Sequence, residues 1–591
     1  MDELETSTLP SLDQGLWKRI LTILWTFKKD VLILFSFMVT LALGDVIFPL
    51  FNRFALDEFI TAQRYIKYIP LFALLYVTLI VVQTTMVYLF IKQAGKIEMN
   101  FAYTMRKMAF EKLQRLSFSY YDTHASGWIL SRLTSDINRL SEIVSWGLLD
   151  MVWGLAMMVG ISVVMLLINA YLALIVLVMV PILYVIARYF QKQILKAYRE
   201  VRKINSMITA DFSEMIFGIK SIKTLTIEKQ RKEKFSTLAS DMKTKSIRSA
   251  LFSSLFMPIV FALASISSAT LLSVGGQAVL IGTLGLGTLL LYVQYVNAFF
   301  EPLRNIARIL AEMQMAQASA ERVLSLLDAK EDIIDNNDGE VYEPLHGDIV
   351  FDKVSFHYIE GEPVLKDFSL HIKAGQTLAL VGESGGGKST IVNLLCRFYE
   401  PTSGEIRIDG FNIQNRPLQW LRSSLGYVLQ TPHLFMGTIA SNIAYGRPDA
   451  SMEDIMAAAK AVHAHDFIMK LDQGYETPVL EGGAKLSVGE KQLLSFARAL
   501  CANPSLIILD EATASIDSHH ESMVQEAIKS LLKDKTSVVV AHRLSTIVNA
   551  DVICVISKGQ IVESGTHSEL IAKQGRYYEL YTHQFEQFEE E

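Results

Sequence analysis

At 591 residues the chain exceeds what one hydrophobic core serves, and roughly 150 residues per domain predicts several domains. A content of 51% hydrophobic and 20% charged residues excludes a disordered chain and is too apolar for an ordinary soluble one, so a membrane-embedded part is implied. The net charge of −6 lacks the basic excess of a general nucleic-acid binder, and Cys396, Cys501 and Cys554 show neither zinc-site spacing nor a disulfide framework.

Near the start, Leu16, Trp17, Ile20, Leu21, Leu24 and Phe27 recur at helical spacing between Lys18, Arg19, Lys28 and Lys29, which predicts an amphipathic helix lying in the membrane interface. The first ten residues are acidic and no small-residue cleavage site follows, which argues against a cleaved signal peptide. Six apolar runs come next: Val31 to Phe51, Tyr68 to Ile91, Trp146 to Ile168, Tyr171 to Phe190, Leu251 to Val274 and Leu284 to Phe300. Each holds about 17 to 25 residues, enough to cross about 30 Å of hydrocarbon as a helix. Lys and Arg concentrate in the segments Lys92 to Ser145 and Gln191 to Ala250, while the Asn169-Ala170 turn and Gly275 to Thr283 carry none. Basic loops are held back during insertion, so both termini and both long loops are predicted to be cytoplasmic. The long loops are helically patterned, and spans two to five are predicted to continue into the cytosol as helices. Asp45 stands inside span one, where a carboxylate is costly. It serves either a cationic ligand or hydrogen bonding within the bundle; Gln294 and Asn297 of span six are weaker sites of the same kind.

From about Ala329 the texture changes to alternating strands, glycine turns and ordinary helices, with Glu331 to Glu340 as an acidic linker. The expected division is a transmembrane domain over 1–328, a linker over 329–340 and a soluble α/β domain over 341–591. In the last of these, the apolar strand Leu378 to Val381 runs into Gly382, Glu383, Ser384, Gly385, Gly386, Gly387, Lys388 and Ser389, then Thr390 and a helical run. This is the phosphate-binding loop in its strand-loop-helix setting. Glycines let backbone amides wrap phosphates, the helix start adds positive potential, Lys388 reaches the β and γ phosphates, and Ser389 ligates Mg2+. A second apolar strand, Leu506 to Leu509, ends in Asp510 and Glu511. Asp510 is expected to hold the magnesium shell and Glu511 to deprotonate the attacking water.

With these motifs the chain resembles the ATP-binding cassette (ABC) family over nearly its whole length. Leu486, Ser487, Val488, Gly489 and Glu490, just upstream of the Asp510 strand, resemble that family's signature, usually Leu-Ser-Gly-Gly-Gln. The resemblance implies that this segment covers ATP held by the other cassette of a dimer. It further implies adenine stacking for Tyr358, a magnesium- and water-contacting glutamine in Gln430, a dimer-crossing loop at Ala514, Ser515, Ile516 and Asp517, and a γ-phosphate switch in His542. Phe118 to Asp122 with Gly127, Ser131 to Leu133 and Asp136 look like the first cytoplasmic loop that rests on a cassette; Gly218 to Lys223 with Glu228 look like the second. Six spans followed by one cassette resemble a half-transporter of the type I exporter, or type IV ABC, fold, which implies a second subunit as partner and a lipid bilayer around both.

Two signature positions depart from the usual pattern. Val488 replaces a glycine where backbone approaches phosphate, and Glu490 puts a carboxylate where a neutral amide is usual. The chain's own Lys388, Asp510, Glu511 and His542 are intact. That asymmetry resembles the consensus-site subunit of heterodimeric bacterial multidrug exporters, with ATP and Mg2+ as cofactors and a hydrophobic small molecule as substrate. A homodimer, a lipid or lipopeptide exporter, and a nucleotide-gated channel or sensor stand as alternatives; six spans exclude a soluble DNA-acting cassette ATPase.

Overall fold

The computed structural model describes residues 13–335, 342–510, 518–540 and 547–589. The chain divides into two compact units, one formed by the residues up to Gln114 with Ala125–Ala329, the other by Arg115–His124 with the chain from Lys330 onward.

Long helices make the first unit. Its opening helix, Gln14–Leu24, is capped by Asp13, whose carboxylate accepts from the amides of Gly15 at 2.8 Å and Leu16 at 3.3 Å. Trp17, Ile20 and Leu24 are buried whereas Leu21 and Trp25 are exposed. The Asp13 amide donates to Gln317 Oε1 at 3.1 Å, and the Arg19 guanidinium donates to both oxygens of Asp328 at 2.5 and 2.6 Å. The stripe expected to lie in the membrane interface is therefore covered in part by the last helix of the unit, Leu286–Leu327.

Among the described residues, five helical stretches are long and apolar enough to cross a membrane: Gln14–Thr61, Ile66–Arg115, Ser126–Ile168, Ala170–Phe217 and Glu228–Leu280. The helices Ile69–Arg115, Met179–Phe217 and Glu228–Leu280 hold 47, 39 and 53 residues, so much of each basic segment is their helical continuation, with short helices such as Phe118–Thr123 and Ile219–Leu225 between them. Asn169 caps the next helix from the expected turn, its side chain accepting from the Leu172 amide at 3.2 Å. The expected sixth span is a helix, Leu286–Leu327, but it is not among the stretches apolar enough to cross a membrane by composition, and one side of it is buried in the unit. Leu291, Tyr292, Tyr295, Val296, Phe299 and Phe300 are buried in the helical core. The Tyr292 hydroxyl donates to the carbonyls of Met165 at 2.6 Å and Asn169 at 2.9 Å, and Tyr295 donates to that of Val46 at 2.7 Å. A helix packed by protein can carry polar groups that one facing lipid cannot.

The Gly275 to Thr283 turn is shorter than expected, since the preceding helix runs on to Leu280. A Cβ at Gly275 would stand 2.6 Å from Leu289 Cδ1, so this glycine serves close helix packing rather than a bend. Asp45 accepts from Gln83 Nε2 and Trp153 Nε1, both at 3.1 Å, so hydrogen bonds from two neighbouring helices meet its carboxylate.

Two sheets organise the second unit. An antiparallel sheet has the order Pro363–Ile372, Ile349–His357, Ser403–Ile408, Phe411–Asn412. A six-stranded sheet runs Gln560–Gly565, Val552–Ser557, Thr377–Val381, Thr536–Val540, Leu506–Asp510, Leu425–Val428, parallel except at its first edge. Its central strands are unbroken apolar runs because both faces are covered. Leu378, Leu380, Ile508 and Val538 pack into one core, and Ala379, Val381, Ile507, Leu509 and Val539 into the other. The short helix Phe118–Thr123 belongs to this unit, where Ser117 and Ser119 donate to Asp332 Oδ2 at 3.0 and 2.5 Å.

Arg397 ties the unit together with only 2% of its surface exposed. It donates to Glu400 at 2.9 Å and to the carbonyls of Ile334, Ile413, Gln414 and Arg416 at 3.1, 3.0, 3.3 and 2.9 Å. Truncation would strip partners from all of these acceptors. Arg397→Met is expected to cost about 3 kcal/mol, read as a lowered unfolding midpoint of the second unit in the purified full-length chain.

Candidate functional site

Thr377–Val381 and Leu506–Asp510 flank Thr536–Val540, with Val540 opposite Leu380 on one side and Asp510 on the other. The carboxyl ends of three parallel strands are thus level, and the segments leaving them converge where open α/β sheets bind ligands. A cavity of about 410 Å³ lies there. The glycine-rich loop and its helix contribute Ser384, Gly385, Gly387, Lys388, Ser389 and Thr390; the strand ends contribute Gln430, Asp510 and Val540; the antiparallel sheet contributes Tyr358 and Val364. The two valines were not singled out from sequence, since strand valines carry no chemical signal.

Lys388 is buried at the start of the Lys388–Leu395 helix and donates to the carbonyls of Gly382 at 2.7 Å and Glu383 at 2.9 Å. Its ammonium is held at the loop mouth beside the backbone amides of a helix start, a cradle suited to phosphate. Gly382 has φ +149, and a Cβ there would stand 2.1 Å from the Ile556 carbonyl oxygen, so only glycine fits. Glu383 turns its carboxylate away onto Arg576 and offers this site only its backbone. Gly386 donates its amide to the Glu383 carbonyl at 3.1 Å and keeps the loop closed.

Tyr358 is 46% exposed and offers a ring face, while its hydroxyl lies 3.3 Å from both Thr390 Oγ1 and Asn393 Nδ2. Burial first, and then the Asp510 charge, push the Tyr427 hydroxyl well above its usual pKa. Ser389, Gln430 and Asp510 bring a hydroxyl, an amide and a carboxylate to one cavity, an oxygen donor set suited to a hard divalent cation.

Ser487, Val488, Gly489 and Glu490 do not line this cavity. They begin the helix Val488–Cys501 as a reciprocal cap: Ser487 Oγ accepts from the Glu490 amide at 3.2 Å, and the Glu490 carboxylate accepts from the Ser487 amide at 2.8 Å. Val488 is half exposed. Glu511, Ala514, Ser515, Ile516, Asp517 and His542 lie outside the described residues.

Residues 31–303 match the family model for the ABC transporter transmembrane region, and residues 365–514 match that for the ABC transporter. The uncharacterized ABC transporter ATP-binding protein YknU of Bacillus subtilis (strain 168) is 35% identical over 571 residues, covering 96% of this chain and 97% of its own. The chain belongs to the ABC transporter family. YgaD of the same organism, described as a candidate multidrug export ATP-binding/permease protein, is 33% identical over 96% of this ABC transporter and 99% of its own length. The fatty acid ABC transporter ATP-binding/permease protein of Mycobacterium tuberculosis (strain CDC 1551 / Oshkosh) is 39% identical over 80% of this chain and 74% of its own. A solved bacterial Atm1-family ABC exporter with ATP bound matches with TM-score 0.75 at 25% identity, covering 97% of this chain and 99% of that one.

This ABC transporter thus has the type IV exporter fold, a helical transmembrane domain followed by a nucleotide-binding domain. It is a multi-pass membrane protein and an ATPase coupled to transport, which works as a dimer. Gly382→Ala is expected to displace the loop from Ile556 and weaken ATP binding at least about tenfold, measured by equilibrium binding to the full-length chain.

Proposed function

We propose that this chain exports hydrophobic or amphipathic small molecules across the cytoplasmic membrane as one half of a heterodimer, with its termini and nucleotide-binding domain in the cytoplasm. One observation carries the reading: the cavity with Lys388, Ser389, Gln430 and Asp510 contains no residue of the chain's own Leu486–Glu490 segment. ATP seated here is covered by the partner's signature, and this chain's signature covers ATP on the partner. The printed name of YgaD supports a multidrug substrate class.

In the proposed cycle the loop amides and Lys388 hold the β and γ phosphates, and Tyr358 stacks on adenine. Mg2+ bound by Ser389, Gln430 and Asp510 would neutralise phosphate charge. Glu511 takes a proton from the attacking water, Gln430 orients that water, and His542 contacts the γ-phosphate. Closure of two cassettes on ATP shifts the bundle outward because ATP binds the closed dimer better than the open one. Hydrolysis reopens the pair.

The reciprocal cap supports inequality between the two ATP sites. The Glu490 carboxylate occupies an amide at the helix start that faces the partner's nucleotide, and it adds negative charge there. Val488 narrows the backbone's freedom at the same point. A site covered by this segment is impaired, while the chain's own pocket keeps its full set. A lipid-exporting activity with the same architecture is the second reading, favoured by the name of the mycobacterial relative. Transport assays in vesicles with a fluorescent drug and a labelled fatty acid separate the two.

Two variants test the ATPase assignment. Glu511→Gln is expected to keep ATP binding and slow hydrolysis by about 100-fold or more, and normal turnover would remove Glu511 from the role of base. The chain purified without a partner is expected to hydrolyse ATP slowly. Val488→Gly with Glu490→Gln, which preserves the cap with a neutral amide, is expected to raise that rate at least about tenfold; vigorous turnover of the unsubstituted chain alone would sink the heterodimer.

A further inference from the structure

Two consecutive aromatic residues follow the helix that carries Lys388. The chain turns at the buried Arg397, with φ +51, and then presents Phe398 and Tyr399. Phe398 packs on Phe118 with ring centres 4.3 Å apart, and meets Tyr427 near edge-on at 5.8 Å. Burial raises the Tyr427 hydroxyl pKa, and the carboxylate of Asp510 lies close enough to raise it further. Tyr399 stands edge-on to Tyr358 at 5.1 Å and 88°, leans on Phe356 at 5.7 Å, and donates its hydroxyl hydrogen to the Asp122 carboxylate.

Phe118 and Asp122 belong to one short helix, Phe118–Thr123, which directly follows the long helix Ile69–Arg115 in the chain. That short helix is therefore in touch with both ends of the nucleotide cavity, the base side through Tyr399 and the metal side through Phe398. The two contacts differ in kind. Phe398 makes only ring contacts toward the short helix, which tolerate sliding. Tyr399 ends in a directional hydrogen bond to an exposed carboxylate, and an edge-on ring pair is sensitive to the tilt of either ring. The Tyr358 hydroxyl lies 3.3 Å from Thr390 and Asn393, and its ring stands edge-on to Phe356 at 4.8 Å, so its tilt is set by contacts on both sides.

Resting on the reading of Tyr358 as the adenine platform, we propose that Tyr399 is a positioning residue which sets the Tyr358 ring for the base and reports its occupancy to Asp122. A base stacked on the open face of Tyr358 presses the ring toward the geometry that Tyr399 shares with Asp122. By linkage, whatever adenine gains from the Tyr399–Asp122 bond, that bond gains from adenine. The phosphates play no part in this coupling, because Lys388 and the loop hold them without Tyr399.

The test uses the full-length chain in lipid nanodiscs, with ATP and inorganic tripolyphosphate as the two probes, and reads affinity together with hydrogen exchange of residues 116–124. Tyr358→Ala is expected to weaken ATP about tenfold and leave tripolyphosphate unchanged. Tyr399→Phe keeps the ring and loses only the hydroxyl. It is expected to weaken ATP about two- to fivefold, spare tripolyphosphate, and abolish the slowing of exchange in 116–124 that ATP produces in the unsubstituted chain; Asp122→Asn is expected to give the same loss. A merely structural role would weaken both probes together. Should Tyr358→Ala leave ATP affinity intact, the adenine platform itself falls and the relay with it. Should Tyr358→Ala weaken ATP while Tyr399→Phe retains ATP-dependent protection of 116–124, the platform stands and the relay is overturned.

Discussion

The level ends of three parallel strands are the constraint on which the nucleotide site depends. Val540 faces Leu380 on one side and Asp510 on the other, and this register places the start of the glycine-rich loop beside a strand-end carboxylate. The pairing is secured by burial on both faces, since neighbouring residues along each strand enter different cores. A slip by one residue would exchange the two faces and separate Asp510 from the loop. Apolar packing thus fixes the spacing of the polar groups at the strand ends.

The helical unit obeys a related rule with a different solvent. Its outward helices satisfy their backbone internally and present apolar side chains. Its inward helix, Leu286–Leu327, spends tyrosine hydroxyls on carbonyls of other helices at Met165, Asn169 and Val46. Asp45 is met in the same way by neutral donors from Gln83 and Trp153. Polar groups in this bundle act as interhelical ties, each joining segments far apart in the chain.

Linear motifs and composition make much of this legible in the amino-acid sequence alone. The loop from Gly382 to Thr390 is read directly because its chemistry depends on consecutive backbone, and the apolar runs because lipid acts on each helix separately. What depends on a distant neighbour is not legible there. The partial covering of Trp17 and Ile20 by protein needs the Leu286–Leu327 helix, and the role of Gly275 needs Leu289. Glu383 sits within the loop motif, yet its side chain answers to Arg576, nearly two hundred residues away. The cap at Ser487 is the instructive case, for Ser-x-x-Glu is a local pattern. Comparison with the family signature draws attention to the charge of Glu490 and away from its bond to Ser487.

That cap also fixes where the Glu490 charge sits. With Ser487 and Glu490 satisfying each other, the amides of Ser487 and Glu490 at the start of the Val488–Cys501 helix are occupied within the chain itself. The start of this helix is held by a bond local to the chain, between residues three apart. The helix start thus carries its own carboxylate as part of its cap, so its amides and its negative charge come as one unit.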